Sequence, residues 1–321
     1  MAEISLEQLE LPIESVKWGH NDENQSKLSI RNLSINVSSP MTDRQELVSA
    51  FNTLLQPEHF TDYGPNGLQV EGKAQISKIV SGVTASRALI EAAIDAKANA
   101  IFVHHGLFWR GQTGVVTGWM KERLKLLLAH DINLYAYHLP LDAHPELGNN
   151  AQLGQKLGFI TPKAVERGEI THFGDQSLGW MANIEQSSDK NSLNQPFSPE
   201  NLQKHLENTL KRHVAGVFIA SSAIKNVANK GAANKGAVIK NVAWCTGGAQ
   251  SYFEAAIAAG ADAFITGEMS EPQAHLAREC GVAYFACGHH ATERYGAPAV
   301  AAHVAEKLGI EHEFIEIDNP A

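Results

Sequence analysis

The sequence predicts an α/β protein made of two three-layer α/β/α halves that repeat one another. Two observations carry that prediction. Residues 90–100 (IEAAIDAKANA) match residues 253–263 (FEAAIAAGADA) at an offset of 163, with seven of eleven positions identical. Each match sits in the same order of features: an apolar run, a turn, an alanine-rich helical stretch and a second apolar run. The apolar runs are continuous rather than alternating, which is the pattern of strands covered on both faces.

In chain order, Thr42-Asp43 offers a cap for a helix carrying Leu47, Phe51 and Leu54-Leu55. A strand over 79–83 meets a turn at Thr84-Ala85, the helix follows, and a second strand covers 101–103. A strand–helix–strand of this length joins parallel neighbours by a right-handed crossover. A helix over 120–129 then leads into a strand over 134–137. The second half runs the same way: strand 242–245, turn Thr246-Gly247-Gly248, helix, strand 263–266, helix 272–280 and strand 282–287. Two stretches lack such patterning. Residues 21–40 are rich in Asn and Ser, which suits a mobile tail. Residues 185–239 contain SSDKNSLNQPFSPEN and the near-duplicate ANKGAANKGA, which read as exposed and partly flexible. The expected division is a polar, disordered extension over 1–40, a first α/β half over 41–165, a variable middle over 166–240 and a second α/β half over 241–321.

Composition narrows the function. The 321 residues suffice for about two domains. Their formal net charge of −9 argues against an extended nucleic-acid surface or an anionic-membrane binder, both of which need a basic face. Cys245, Cys280 and Cys287 form no C-x-x-C pair, so neither a disulfide framework nor a thiolate zinc site is expected. The first residues carry no cationic and apolar leader, and no apolar run reaches the ~18 residues of a membrane span. A cytoplasmic protein is the expectation. The unusual feature is the count of 15 histidines.

Several of these histidines fall at predicted strand C-termini, where open α/β sheets place their ligands. The first half has His104-His105-Gly106 after one strand and His138-Leu139-Pro140-Leu141-Asp142 after the next. The second half has His289-His290-Ala291-Thr292-Glu293 at the matching place. A shift of 151 superposes His138 on His289 and Asp142 on Glu293, so His-x-x-x-carboxylate recurs. Imidazole and carboxylate without thiolate is a ligand set for Zn, Mn, Fe or Ni. Adjacent histidines in a regular strand face opposite ways, so both reach one site only where the strand breaks; Gly106 supplies that freedom. His289 and Glu293 share a face if their segment is helical. A lone His-His pair is more often structural than ligating. The coincidence of three clusters in a repeating chain is what favours a metal site.

Other residues carry weaker signals. His20, His59, His130 and His312 have no such partners and read as surface residues. Asp131 and Asp262 read as capping or solvating turns. The loop Thr246-Gly247-Gly248-Ala249 lies between strand and helix, where backbone N–H groups can bind an anion. As a phosphate loop it is weak, because the first half has Thr84-Ala85-Ser86 there. Trp109, Trp119 and Tyr137 are candidates to stack a base, with core packing as the plainer alternative.

Five stretches resemble one family. They are DYGPNGLQVEGK (62–73), VHHGLFWRG (103–111), YHLPLDAHPELGNNAQLG (137–154), WCTGGAQSYFEAAIAAGADAFITGEMSE (244–271) and GHHATER (288–294). They are similar to the Nif3-like family, known as GTP cyclohydrolase 1 type 2 homologues or dinuclear-metal-centre hexameric proteins. The resemblance implies two intertwined α/β/α subdomains related by a pseudo-dyad. It also implies a toroidal homohexamer with two divalent metal ions per subunit facing its internal cavity. By motif, the metal ligands would be His104, His105, Asp142, His289 and Glu293, with Glu293 suited to bridge the ions. Relatives often have an aromatic where His290 stands, so His290 reads as a neighbour of the site. His138 matches the repeat without being a usual ligand and reads as support. His138, His290 and Glu268 are the candidates for proton transfer or orientation, with buried polar support of the sheet edge as an equal alternative.

Five protein ligands on two ions leave positions for water. Such a pair lowers the pKa of bound water toward neutrality and polarises an electrophile. The expected function is a metal-dependent hydrolase acting on a nucleotide or purine derivative. Two alternatives stay open. One is a phosphoesterase with the same centre, acting on nucleotides or nucleic-acid fragments. The other is a non-catalytic, metal-binding assembly protein.

Overall fold

The computed structural model describes residues 40–184, 198–218 and 238–321. The tail expected over 1–40, apart from Pro40, and the repeated ANKGAANKGA stretch lie outside the described residues. The first half contains β1 (Thr42–Asp43), α1 (Arg44–Leu55), β2 (Gly67–Val70), β3 (Gln75–Ile76), β4 (Lys78–Thr84), α2 (Arg87–Asp95), β5 (Ala100–His105), α3 (Gly118–Ala129), β6 (Asn133–Ala136), α4 (Leu139–Ala143) and α5 (Asn149–Lys156). The middle adds α6 (Pro162–Glu166), β7 (Thr171–Phe173), β8 (Gly179–Asn183), α7 (Pro199–Leu210) and β9 (Ala215–Val217). The remainder is β10 (Asn241–Trp244), α8 (Phe253–Ala258), β11 (Ala263–Thr266), α9 (Glu271–Cys280), β12 (Ala283–Ala286), α10 (His289–Glu293), α11 (Gly296–Leu308) and β13 (Glu311–Phe314).

Helix starts follow local chemistry. The Asp43 carboxylate accepts from the Gln45 amide at 2.8 Å and caps α1; Ser86 does the same for α2 through the Leu89 amide at 3.2 Å. The strands assemble into two sheets, ordered β13-β4-β5-β6-β2 and β7-β8-β10-β11-β12-β9, beside a β1-β3 ribbon. β4, β5 and β6 run parallel, as do β10, β11 and β12, in line with the crossovers expected from the sequence. Successive strand residues face opposite cores. Ile79, Phe102 and Tyr135 pack with α1 and α11, whereas Val80, Ile101 and Leu134 pack with α2 and α3. In the second sheet, Trp244, Ile265 and Phe285 pack with α5 and α7, whereas Ala243, Phe264 and Tyr284 pack with α8 and α9. Each sheet is therefore the middle layer of an α/β/α sandwich. Burial on both faces explains the uninterrupted apolar strands.

The sheets do not divide at the sequence boundaries. Helix α5, from the first half, buries Ala151 and Leu153 against the second sheet. Helix α11, from the second, buries Val300 and Val304 against the first, and β13 pairs parallel with β4. Each fully buried valine contributes about 1.5–3 kcal/mol, so the exchange ties the halves firmly. The middle region is also more than an insert. β7 and β8 extend one edge of the second sheet and β9 the other, each antiparallel to its neighbour. No strands are expected there from the sequence, because runs of 3 residues are too short to show a period of two and the 5 residues of β8 (GWMAN) neither alternate nor form a continuous apolar run. Among the described residues, no helix is long and apolar enough to cross a membrane.

The exchanged helices meet at one close contact. Asn149 Oδ1 accepts from the Gly296 amide at 2.8 Å, and a Cβ on Gly296 would lie 2.5 Å from that same oxygen. Gly296→Ala is therefore expected to destabilise the fold by about 1–3 kcal/mol. The measurement is urea unfolding, with a lower midpoint and unchanged m-value expected. A midpoint equal to that of the wild type would show that the crossing does not need this approach.

Candidate metal centre

The C-terminal ends of the parallel strands converge on one place. β5 ends at His104 and His105; both still belong to the strand, which pairs with β4 through His105, and their rings lie 4.5 Å apart at its C-terminal end. After β6 the chain passes through His138 into α4, which carries Asp142. After β12, Gly288 (φ +96°) turns the chain into α10. That segment is helical, so His289 and Glu293 share a face, with Nε2 and Oε2 3.1 Å apart. All five residues expected as ligands are thus brought together, and His138 joins them.

Three overlapping groups have their donor atoms within 4.8 Å of one another: His104, Asp142 and Glu293; His105, His289 and Glu293; and His104, His105 and His138. Glu293 belongs to two of them. Its Oε1 faces His104 Nε2 at 3.4 Å, while Oε2 faces His105 Nε2 at 3.3 Å and His289 Nε2 at 3.1 Å. One carboxylate oxygen is thus turned to each set of donors.

The fit to a cation can be tested on the hydrogen bonding. His104 Nδ1 donates to the Tyr137 carbonyl at 3.2 Å, which leaves its Nε2 bare unless a proton binds there. That bare nitrogen faces Asp142 Oδ1 at 3.5 Å and Glu293 Oε1 at 3.4 Å. A lone pair facing two carboxylates in a buried space is repulsive without a positive charge between them. Among the described residues, the buried side-chain polar atoms with no hydrogen-bond partner are His104 Nε2, Glu293 Oε2 and Gln250 Oε1. Two of the three lie in this cluster. The donor set fits a divalent cation.

The electrostatics agree. Burial opposes charging His104, yet Asp142 and Glu293 outweigh it and push its pKa up to about 9. The Glu293 carboxylate facing its Nε2, with help from Glu268 at Nδ1, raises His289 to about 9 against burial. Burial, with three neighbouring imidazoles, holds His105 neutral with its pKa lowered to about 3. Burial raises Asp142. For Glu293 burial also pushes upward, but His104 and His105 overcome it and hold the carboxyl well below its ordinary range.

The surrounding residues hold these groups in place. Glu268 Oε1 binds His289 Nδ1 at 2.7 Å, so Glu268 orients a ligand candidate. Asp62 Oδ1 binds His138 Nδ1 at 2.7 Å. Burial raises the Asp62 carboxyl, yet the His138 contact prevails and lowers it to about 2. His290 is not part of the cluster: its Nε2 is 2.6 Å from Glu316, which also pairs with Arg294 at 2.9 Å. Asn149 Nδ2 and Thr246 Oγ1 donate to Asp142 Oδ1 at 2.9 and 3.2 Å. Asp62, Asn149 and Thr246 were not singled out for these roles from the sequence. Asp62 and Asn149 stand within the family-like motifs, but no spacing rule links Asp62 to His138, 76 residues away.

Several weaker expectations resolve differently. The N–H groups of Thr246, Gly247 and Ala249 donate to Asn150, Thr292 and Thr266, so these three amides of the loop are engaged within the protein rather than turned to an anion. The loop serves the carboxylate instead: a Cβ on Gly247 (φ +69°) would overlap Glu293 Oε1. Tyr137 is fully buried with its hydroxyl on Asn52, and Trp119 is exposed beneath Arg123. Trp109 alone of the three aromatics reaches the cluster, edge-on to His138 at 5.1 Å. His59 and His130 are exposed, but His312 is half-buried and bonds Ser81 Oγ at 2.8 Å across paired strands. Asp262 accepts from the Lys240 and Asn241 amides, as a turn residue does, and Asp131 is exposed.

Cation uptake must displace the protons on His104 and His289. Both pKa values are raised from 6.5, so the charged pairs stabilise the metal-free fold fully below 6.5 and lose that effect as pH rises through about 9. Binding has the opposite sign. Between about pH 6 and pH 8, apparent Zn(II) affinity is expected to rise roughly ten- to a hundredfold per pH unit, one decade per proton displaced. Competition with a chromophoric chelator measures this. A flat profile would show that these imidazoles do not bind the ion.

Known proteins resemble this chain over most of its length. The family model for Duf34/NIF3 (NGG1p interacting factor 3) matches residues 42–320. The chain is 44% identical over 287 residues to the GTP cyclohydrolase 1 type 2 homolog of Allochromatium vinosum, covering 89% of this chain and 100% of that protein. It is 45% identical over 281 residues to the protein of the same name from Neisseria meningitidis serogroup A, covering 88% and 100%. The solved structure of protein ybgI is 42% identical, with a TM-score of 0.73, covering 87% of this chain and all of that one. A Thermus thermophilus protein follows at 27% identity and a TM-score of 0.66, covering 87% and 100%. The match spans nearly every described residue, both sheets and every side chain of the cluster, and the chain belongs to the Duf34/NIF3 family.

Proposed function

We propose that this protein is a metal-dependent hydrolase whose dinuclear centre acts on a nucleotide or purine derivative. One observation carries the reading: two donor groups share Glu293, and each of its oxygens faces a different set. His104 and Asp142 would hold one ion, His105 and His289 the other, with Glu293 between them. Bound there, two divalent cations supply Lewis acidity to a water nucleophile and to the group it attacks.

The chain's own residues do the rest. Glu268 keeps Nδ1 of His289 engaged, so its Nε2 stays turned to the cluster. Asn149 and Thr246 hold Asp142, leaving its carboxylate aimed at His104. Trp109 forms a flank beside His138, where a planar ring can lie against it. The name shared by the similar proteins, GTP cyclohydrolase 1 type 2 homolog, supports a nucleotide-like substrate. A cytoplasmic location is part of the same reading.

Protein as isolated is expected to contain about two transition-metal ions per chain by elemental analysis. With the metal found restored, a nucleotide panel should show hydrolysis that Glu293→Ala abolishes together with metal content. No metal in the protein as isolated would remove the enzyme reading, as would activity that survives metal loss. Phosphate release without ring opening would select a phosphoesterase instead.

The family resemblance supports a homohexamer. Light scattering should then give a native mass about six times the 34.8 kDa chain. A monomer at working concentration would sink that part.

A further inference from the structure

Asp62 and Asn66 lie outside the ligand set, yet both are aimed at His138. Asp62 Oδ1 accepts from His138 Nδ1 at 2.7 Å and from the Tyr63 amide at 2.6 Å. Its Oδ2 accepts from the Leu139 amide and from Asn66 Nδ2, each at 2.9 Å. Asn66 Oδ1 in turn accepts from the His138 amide at 2.7 Å. The clamp closes where β6 turns into α4 and the His138 backbone, at φ −96° and ψ −98°, belongs to neither helix nor strand. With Nδ1–H donated to Asp62, the imidazole presents a bare Nε2. His138 shares a donor group with His104 and His105, all within 4.8 Å. Trp109 closes the ring's flank.

We propose that Asp62 is a positioning residue that acts through His138, holding its Nε2 beside the ligand candidates His104 and His105 so that His138 adds to the affinity of the centre for its cations. The inference rests on the reading of the cluster as a metal centre. Glu268 makes the same Nδ1 contact on His289, but from an exposed side chain; the Asp62 side chain is only 3% exposed. Asparagine cannot replace Asp62. Each of its two oxygens meets two donors, and either orientation of an amide would set its NH2 group against them. One orientation forces His138 to offer Nδ1 as acceptor and move its proton to Nε2. The other leaves the Leu139 amide and Asn66 facing donors.

The test measures Co(II) affinity and the visible Co(II) absorption spectrum of the full-length wild type, Asp62→Asn, His138→Ala and the double variant. Asp62→Asn is expected to weaken Co(II) binding by about 10- to 100-fold and to shift the spectrum. In the His138→Ala background the same change should alter affinity by less than about twofold. Equal losses in both backgrounds, or no loss in either, would overturn the proposal. If melting shows that Asp62→Asn does not fold, His138→Ala decides alone: a loss of about 10- to 100-fold supports the proposal, and wild-type affinity overturns it. A wild type that binds no Co(II) overturns the metal reading and this inference with it. That pattern is distinct from a wild type that binds while its variants bind equally well.

Discussion

A carboxylate that is only 2% exposed, faced by three imidazoles, is the constraint on which the rest of the structure turns. Burying one ion costs several kcal/mol unless opposite charge and good hydrogen bonds meet it. Glu293 meets no backbone donor: its Oε2 has no hydrogen-bond partner, and its neighbours are imidazole nitrogens. The nearby backbone makes room rather than bonds. Gly247, in the left-handed region, leaves space that any side chain would fill, and its N–H goes to Thr292. Without metal the pocket's electrostatic demand is met by protons on His104 and His289, which a cation can replace, and this is the condition of a site built for a cation.

Neither half of the chain meets that demand alone. His104, His105 and Asp142 come from one half, His289 and Glu293 from the other, and each donor group containing Glu293 crosses between them. The exchange of α5 and α11 is what brings the two sets of strand ends together. Asn149 joins the two tasks: its Oδ1 holds the start of α11, and its Nδ2 holds Asp142. Asn150, the next residue, holds the Thr246 amide and accepts from the Trp244 indole in the second core. Two adjacent asparagines therefore fasten core, crossing and site at once. Strain introduced at the crossing reaches Asp142 through the Asn149 side chain.

The parallel strands and their helices were legible because burial on both faces leaves a continuous apolar run, as at Ile101 and Phe102 or Phe264 and Ile265. The ligands were legible because strand C-termini collect them and because His-x-x-x-carboxylate recurs. The exchange of α5 and α11 was not, since a helix's apolar stripe does not say which sheet it covers. The edge strands β7 and β9 were too short to show a period, and β8 (GWMAN) neither alternates nor runs continuously apolar. The Asp62–His138 contact was hidden for a different reason: a carboxylate 76 residues from its partner leaves no local pattern. His290 misled by adjacency, since its neighbour His289 points into the cluster while its own Nε2 meets Glu316.

The net charge of −9 bears differently on the proposed substrate once the site is known. An acidic chain repels a nucleotide at long range, and no extended basic face is expected to offset that. The offset has to be local. On the proposed reading, Asp142 and Glu293 cannot neutralise two divalent cations, and the three histidines that complete the ligand set add no negative charge when neutral. A loaded centre therefore carries residual positive charge at the ends of the strands, in a partly buried space where screening by salt is weak. A phosphate or a polarised carbonyl oxygen satisfies that charge; a neutral apolar ligand does not. Without metal, the protons on His104 and His289 offset the two carboxylates, and little net positive charge is left to meet the same anion. Metal binding and substrate binding are then consecutive parts of one electrostatic requirement, set by a carboxylate that the fold buries without a backbone donor.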